Sequence, residues 1–295
     1  MTPAIEAGDL GKSYRGRWAL RHASVSVPTG KVVGLVGANG AGKSTFLHLS
    51  VGLLAPSEGE IRVLGGRPGD GREQLAKVGM LAQDTPLYGS FTVADHLELG
   101  ARLNPSWDSA AAEARIAKVG LDQKQKAAAL SGGQRSQLAL TLAIGKRPEL
   151  LLLDEPVASL DPLARREFLQ DLMELAADGL SIVLSSHLIG DVERVCDHLV
   201  VLVDGHVRLA GDIDDILGEH RVITAPRLRP DQPTDDEVIE RTDTPRQTTL
   251  LVRGSGPVLD PTWTSTDVGL EEIVLAYMAR PATTSPTLSS VGGVA

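Results

Sequence analysis

Residues 31–45 read KVVGLVGANGAGKST, and this stretch decides the fold. Within residues 31–36, the five that follow Lys31 form a continuous apolar run, the pattern of a strand buried on both faces, as in parallel sheets. The next nine fit the phosphate-binding spacing G-x-x-x-x-G-K-[ST], and a helical pattern follows from Ser44. Strand, glycine-rich loop and helix start are the context that gives this spacing its meaning. Glycine lets the backbone wrap an anion without Cβ clashes, and the helix start offers unpaired N–H donors and partial positive charge. Gly37, Ala38, Asn39, Gly40, Ala41, Gly42, Lys43, Ser44 and Thr45 are therefore the candidate phosphate cradle. Lys43 has the reach for β- and γ-phosphates, and the Ser44 hydroxyl suits Mg²⁺.

The same strand–helix alternation continues outward. Residues 4–10 and 22–28 alternate as strands with one buried face, and 60–64 and 77–82 read as further short strands. Residues 92–120 turn helical, broken at Asn104-Pro105, and 130–145 form another helix. Then come a pure leucine strand at 150–153, a helix at 163–177, a strand at 181–186 (SIVLSS) and a helix at 188–195. Asp204-Gly205 between two apolar runs signals a hairpin. Strands alternating with helices predict an α/β sheet. Composition shifts near residue 220. Residues 226–236 (PRLRPDQPTDD) read as a linker or long loop, 222–224, 238–241 and 248–253 as strands, and 269–279 as a helix.

Composition bounds the function. The 295 residues are 42% apolar and 23% charged, which is ordinary globular usage and excludes wholesale disorder. The lone Cys196 excludes a disulfide framework and a cysteine-cluster metal site. No apolar run approaches the roughly 20 residues that span a bilayer, and the start MTPAIEAGDL lacks the features of a secretory signal. The expectation is a cytoplasmic chain, attached to a membrane only through a partner. The net charge of -9 is uneven: residues 1–150 hold 18 Lys/Arg against 13 Asp/Glu, and residues 151–295 hold 11 against 25. Such a chain is no general polyanion binder, and no nucleic acid is expected as partner.

Asp154 ends the leucine strand and Glu155 follows it. The carboxyl end of a parallel strand is where open α/β sheets bind ligands. There Asp154 can hold Mg²⁺ through water, and Glu155 can orient or deprotonate an attacking water. The order of motifs then resembles the ATP-binding cassette ATPases over residues 4 to about 217. The motifs are the phosphate loop, Gln83, Leu130-Ser131-Gly132-Gly133-Gln134, residues 150–155, Ser159-Leu160-Asp161 and His187.

The resemblance implies a P-loop NTPase core with an antiparallel β subdomain and a helical subdomain. It implies ATP and Mg²⁺ as cofactors and hydrolysis in a head-to-tail dimer of cassettes. It implies Glu155, His187 and Gln83 as catalytic residues, with Gln83 also at the metal beside Ser44 and Asp154. Tyr14 is similar to the aromatic that stacks on adenine, with Trp18 as an alternative. Ser131, Gly132, Gly133 and Gln134 would clasp the partner chain's ATP, and Asp161 would lie at the dimer seam. The layout resembles single-cassette exporters of the drug and antibiotic-resistance type, which work through a separate integral membrane permease. The arm at 92–122 would grip that permease. Of its apolar residues Phe91, Val93, Leu97, Leu99, Leu103 and Trp107, Phe91 and Trp107 are the candidates for the interface. Ribosome-associated relatives carry coiled coils or tandem cassettes, whereas here Leu130 follows Lys43 by 87 positions, without heptads between them. The expected domains are a cassette over 1–220 with its helical subdomain at about 84–145, a small α+β appendage over 221–280, and a disordered tail at 281–295.

Overall fold

The computed structural model describes residues 2–158, 160–226, 237–254, 256 and 260–280. The expectations for Ser159, for the linker at 227–236 and for the tail at 281–295 lie outside the described residues. The chain divides into two compact units, Met1–Ile213 and Asp214–Ala295.

The first unit begins with strands β1 (Ile5–Tyr14), β2 (Arg17–Val27) and β3 (Val32–Val36). Helix α1 (Lys43–Ser50), β4 (Glu58–Val63), α2 (Gly71–Lys77) and β5 (Val78–Leu81) follow. Next come α3 (Val93–Leu103), α4 (Ser109–Lys118), α5 (Gly132–Gly145) and β6 (Leu150–Leu153). The unit closes with α6 (Pro162–Ala177), β7 (Ser181–Ser186), α7 (Ile189–Val195), β8 (His198–Val203) and β9 (His206–Asp212).

The central sheet has the order β5-β6-β7-β3-β8-β9, parallel except for the β8–β9 hairpin. All residues of β3, β6 and β7 are buried, which is why β3 and β6 read as apolar runs and β7 has an apolar centre flanked by serines, rather than alternating. A separate antiparallel sheet, β2-β1-β4, packs its alternate residues with α1 into one core, through Ile5, Leu10, Leu20, Phe46 and Val63. The other face of the central sheet packs against α5 and α6, through Leu140, Phe168 and Leu172.

The helical arm has its own core of Val93, Leu97, Ala112, Ile116, Leu121 and Leu138. Helix α3 starts with a capping box, Thr92 accepting from Asp95 N–H while the Asp95 carboxylate accepts from Thr92 N–H. The Trp107 ring packs against Gly100 and Gly145, where a Cβ would meet it at 2.5 and 2.7 Å. Trp107 therefore ties α3 to α5 inside the arm, and the expectation that it faces a partner is corrected. Phe91 stays more than a third exposed, stacked 5.1 Å from Tyr88, which is also exposed.

The second unit holds α8 (Ile213–Glu219), β10 (His220–Pro226), β11 (Glu237–Asp243), β12 (Gln247–Arg253), β13 (Thr264–Thr266) and α9 (Leu270–Ala279). Its strands order as β11-β12-β10-β13, all antiparallel. The division falls seven residues before the boundary expected at 220/221. The reason is that α8 is fastened into the second unit: His220 Nδ1 bonds Ile216 O at 2.7 Å, His220 Nε2 bonds Tyr277 Oη at 3.0 Å, and Arg253 pairs with Glu219 at 2.8 Å.

His220 is almost fully buried, and burial is the main cause that pushes its pKa below the ordinary 6.5. The folded imidazole then resists a proton that the unfolded chain accepts, so the unfolded state binds more protons below about pH 6.5. The expected outcome is a second unit whose stability falls as pH drops through that value and is insensitive to this group above it. Hydrogen-exchange protection factors of β10 and α9 at pH 5.5 and 7.5 check it, and in His220→Gln the difference attributable to this group disappears.

Candidate functional site

The sheet brings the candidate residues together at the carboxyl ends of β3, β6 and β7, where open α/β sheets place their ligands. The loop after β3 rises, turns at Gly40 and Gly42, and enters α1. Gly42 has φ +107°, and a Cβ there would lie 2.5 Å from Ala19 O, so the loop conformation requires glycine. No side chain caps α1, and its first turn carries no acid. The helix start thus presents its N–H groups and positive end to the cavity, which suits a polyphosphate. The β8–β9 turn braces the loop from behind, with Gly205 N–H donating to Ala41 O at 3.1 Å. Ala38, Asn39 and Gly40 form its exposed lip.

Lys43 is buried, and its ammonium donates to Gly37 O at 2.7 Å and to Ala38 O at 3.4 Å. It also lies 3.3 Å from Glu155 Oε1, both side chains being less than a tenth exposed. On the other side Glu155 Oε2 meets His187 Nδ1 at 2.8 Å. With the ionised carboxylate as acceptor, Nδ1 carries the proton, which leaves Nε2 of the neutral ring as an acceptor. Glu155 itself has φ +48°, a left-handed conformation that is strained for a residue with a side chain.

Asp154 lies beneath, 2% exposed. Its Oδ1 accepts from Ser185 Oγ at 2.7 Å, and the same hydroxyl accepts from Glu155 N–H at 2.8 Å. Ser186 brackets the turn that carries His187, accepting from Leu188 N–H at 3.0 Å. Neither serine stands out in the sequence reading. The available signal was two hydroxyls closing a strand whose other residues are almost all apolar, since a buried hydroxyl requires a partner.

A cavity of about 390 Å³ is lined by Ala19, most of the phosphate loop, Gln83 and Glu155. The structure therefore unites Gln83, Lys43, Ser44, Thr45 and Glu155 in one pocket, with Asp154 below and His187 beside Glu155. Tyr14 is not among its lining residues. It sits at the end of β1, 45% exposed, under the Lys12 ammonium, and Trp18 on β2 is likewise exposed, 6.0 Å from the Arg21 guanidinium.

Ser131, Gly132, Gly133 and Gln134 are elsewhere. Ser131 caps α5 in a second capping box, accepting from Gln134 N–H at 3.2 Å while Gln134 Oε1 accepts from Ser131 N–H at 2.9 Å. These residues line a different cleft of about 710 Å³, together with Leu160, Asp161 and Glu167. Asp161 caps α6, accepting from Leu163 and Ala164 N–H at 3.0 Å each, with Pro162 opening the helix. Nearby, Arg115 of α4 donates to Gln137 of α5 and Asp171 of α6, both at 2.8 Å, and fixes the arm beside the α5 start. The two clefts share no lining residue.

The family model described as ABC transporter matches residues 20–158. Nod factor export ATP-binding protein I of Rhizobium johnstonii is 36% identical over 208 residues, 68% of this chain and 67% of its own length. The lipopolysaccharide export system ATP-binding protein LptB of Acidithiobacillus ferridurans is 32% identical over 231 residues, 75% of this chain and 95% of its own length. Among solved structures, an ATP binding subunit of an ABC transporter is 32% identical with a TM-score of 0.66, covering 72% of this chain and 91% of its own. The dimeric bacterial ABC transporter cassette MJ0796 is 25% identical with a TM-score of 0.63, covering 71% of this chain and 98% of its own.

Proposed function

Because this chain belongs to the ABC transporter family, as an ATP-binding subunit, we propose that two copies hydrolyse ATP head to tail and drive export through a separate membrane permease. The observation that carries this reading is Glu155, held between Lys43 at 3.3 Å and His187 at 2.8 Å on the wall of the phosphate-loop cavity.

Each residue has a task suited to its place. The α1 start and the loop from Gly37 to Thr45 bind the phosphates of ATP, with Lys43 as their counter-charge. Ser44, Asp154 and Gln83 would hold Mg²⁺, whose positive charge would offset that of the ATP phosphates. Glu155 takes the proton of the attacking water, and His187 steadies that carboxylate through Nδ1–H. Ser131, Gly132, Gly133 and Gln134 form a second helix start, which serves the partner's ATP, and Asp161 lies at the seam. That the two clefts share no lining residue in one chain supports a site completed between two chains. Tyr14 remains the proposed adenine platform: its ring on the β1–β2 hairpin is 45% exposed, with the Lys12 ammonium over it.

The permease meets an apolar groove of about 430 Å³ beside Gln83, lined by Leu53, Leu75, Pro86, Leu87 and Leu142. Lys146 also lines it and donates to Leu75 and Val78 O at 2.8 Å each, and burial lowers its pKa. Among the described residues no helix is long and apolar enough to cross a membrane. The reading places the chain in the cytoplasm, peripheral on the inner membrane face through the permease. The export direction follows relatives named for Nod factor and lipopolysaccharide export.

The test is a tagged pull-down from detergent-solubilised membranes of the native cell, with mass spectrometry of the co-eluting proteins. A stoichiometric integral membrane protein is the expected result. Recovery of the chain only from the soluble fraction, on ribosomes or alone, would overturn the transporter part and leave the ATPase chemistry standing.

A further inference from the structure

Ser185 lies on β7, between β6 and β3, with no exposed surface. Its backbone pairs with Leu35 of β3 on one side, and the Leu153–Leu184 pairing puts it next to Asp154 on the other. A valine or alanine would suit such a strand at lower desolvation cost, since a buried hydroxyl is stable only with partners. Both of its bonds go to the pair that follows β6, Asp154 beneath the phosphate-loop cavity and Glu155 on its wall. A serine hydroxyl has one proton, and an ionised carboxylate only accepts. The 2.7 Å bond is therefore Oγ–H donating to Asp154 Oδ1, and the 2.8 Å bond is Glu155 N–H donating to Oγ. The second bond fixes the backbone where it takes the strained φ of +48° that carries Glu155 toward His187.

We propose that Ser185 is a positioning residue for ATP hydrolysis: one hydroxyl sets the Asp154 carboxylate toward nucleotide-bound Mg²⁺ and the Glu155 backbone that aims the base. The inference rests on the reading of the site given above. The hydroxyl is fully buried and acts only through the two groups it bonds, from a strand that ends one residue before His187. Removing it leaves a buried carboxylate oxygen and a buried N–H without this partner, and each relaxes to a new orientation.

The experiment compares Ser185→Ala and Ser185→Thr with the parent full-length chain. Three quantities are measured: kcat and KM for ATP, Mn²⁺ binding in the presence of ADP by electron paramagnetic resonance, and the nucleotide-free thermal midpoint. In Ser185→Ala, kcat and Mn²⁺ affinity each fall about tenfold, the scale for groups that orient a metal's ligands. KM for ATP stays within about twofold, because the phosphate loop is untouched. Ser185→Thr keeps the hydroxyl and recovers most of the Mn²⁺ affinity. A lowered thermal midpoint with kcat and Mn²⁺ affinity both within about twofold of the parent would overturn the proposal, leaving Ser185 a packing residue. Glu155→Gln is assayed alongside. If it retains parental turnover, the failure belongs to the reading of the site and not to Ser185.

Discussion

Glu155→Gln is expected to bind ATP as the parent does and to hydrolyse it about 10³-fold more slowly, within the usual range for loss of a general base. Glutamine keeps the shape of the side chain but has no basic oxygen for the water's proton. The surroundings make the loss specific. The Glu155 backbone is held by Ser185, and its two oxygens lie against Lys43 and His187, so a neutral isostere occupies the same space. The Lys43 ammonium is then relieved of one anionic neighbour while keeping the carbonyls of Gly37 and Ala38. Phosphate binding is thus preserved or strengthened. With ATP bound and not consumed, the dimer accumulates, visible as a shift in size-exclusion chromatography that requires ATP and Mg²⁺. Parental turnover in this variant would remove Glu155 as the base and direct attention to His187.

This site was largely legible in the sequence because its parts lie at the ends of strands buried on both faces. Such strands read as apolar runs, as at 150–153 and in the Ile182–Leu184 centre of 181–186, and the residue after each is placed by the sheet itself. What escaped the reading lacks that signature. Helix α2 buries none of its seven residues, so no apolar period marks it. Strand β13 is exposed throughout its three residues, and α8 is a single short acidic stretch. Ser185 was hidden for the opposite reason: it lies inside a legible buried strand, and nothing in the sequence names the partners of its hydroxyl. Trp107 misled because a large aromatic in an arm suggests a partner, whereas two glycines on neighbouring helices make a slot that the ring fills. The cleft at the start of α5 was legible as a capped helix, but the proposed function has it meet another chain, which no spacing within one sequence discloses.

That second chain is the subject of the other large effect. Ser131→Arg is expected to abolish turnover without disturbing the phosphate loop of its own chain. Arginine removes the hydroxyl that caps α5, which costs about 1 kcal/mol of helix stability. It also drives a long cation into the cleft beside Gly133 and Asp161. Helix stability alone cannot explain a complete loss, since the arm is further held by Arg115 between Gln137 and Asp171. ATP binding, measured with a fluorescent analogue on the isolated chain, therefore stays parental while hydrolysis disappears. The decisive form of the measurement mixes chains. Lys43→Ala damages the loop side of each site and Ser131→Arg the opposite side, so either homodimer has two dead sites. In a head-to-tail mixed dimer both defects fall in one site and the other is intact. Random pairing of equal amounts then restores roughly a quarter of the parental sites. Recovered turnover on mixing means that each ATP is held between two copies of this chain. Parental turnover in Ser131→Arg alone would mean that a single chain completes its own site.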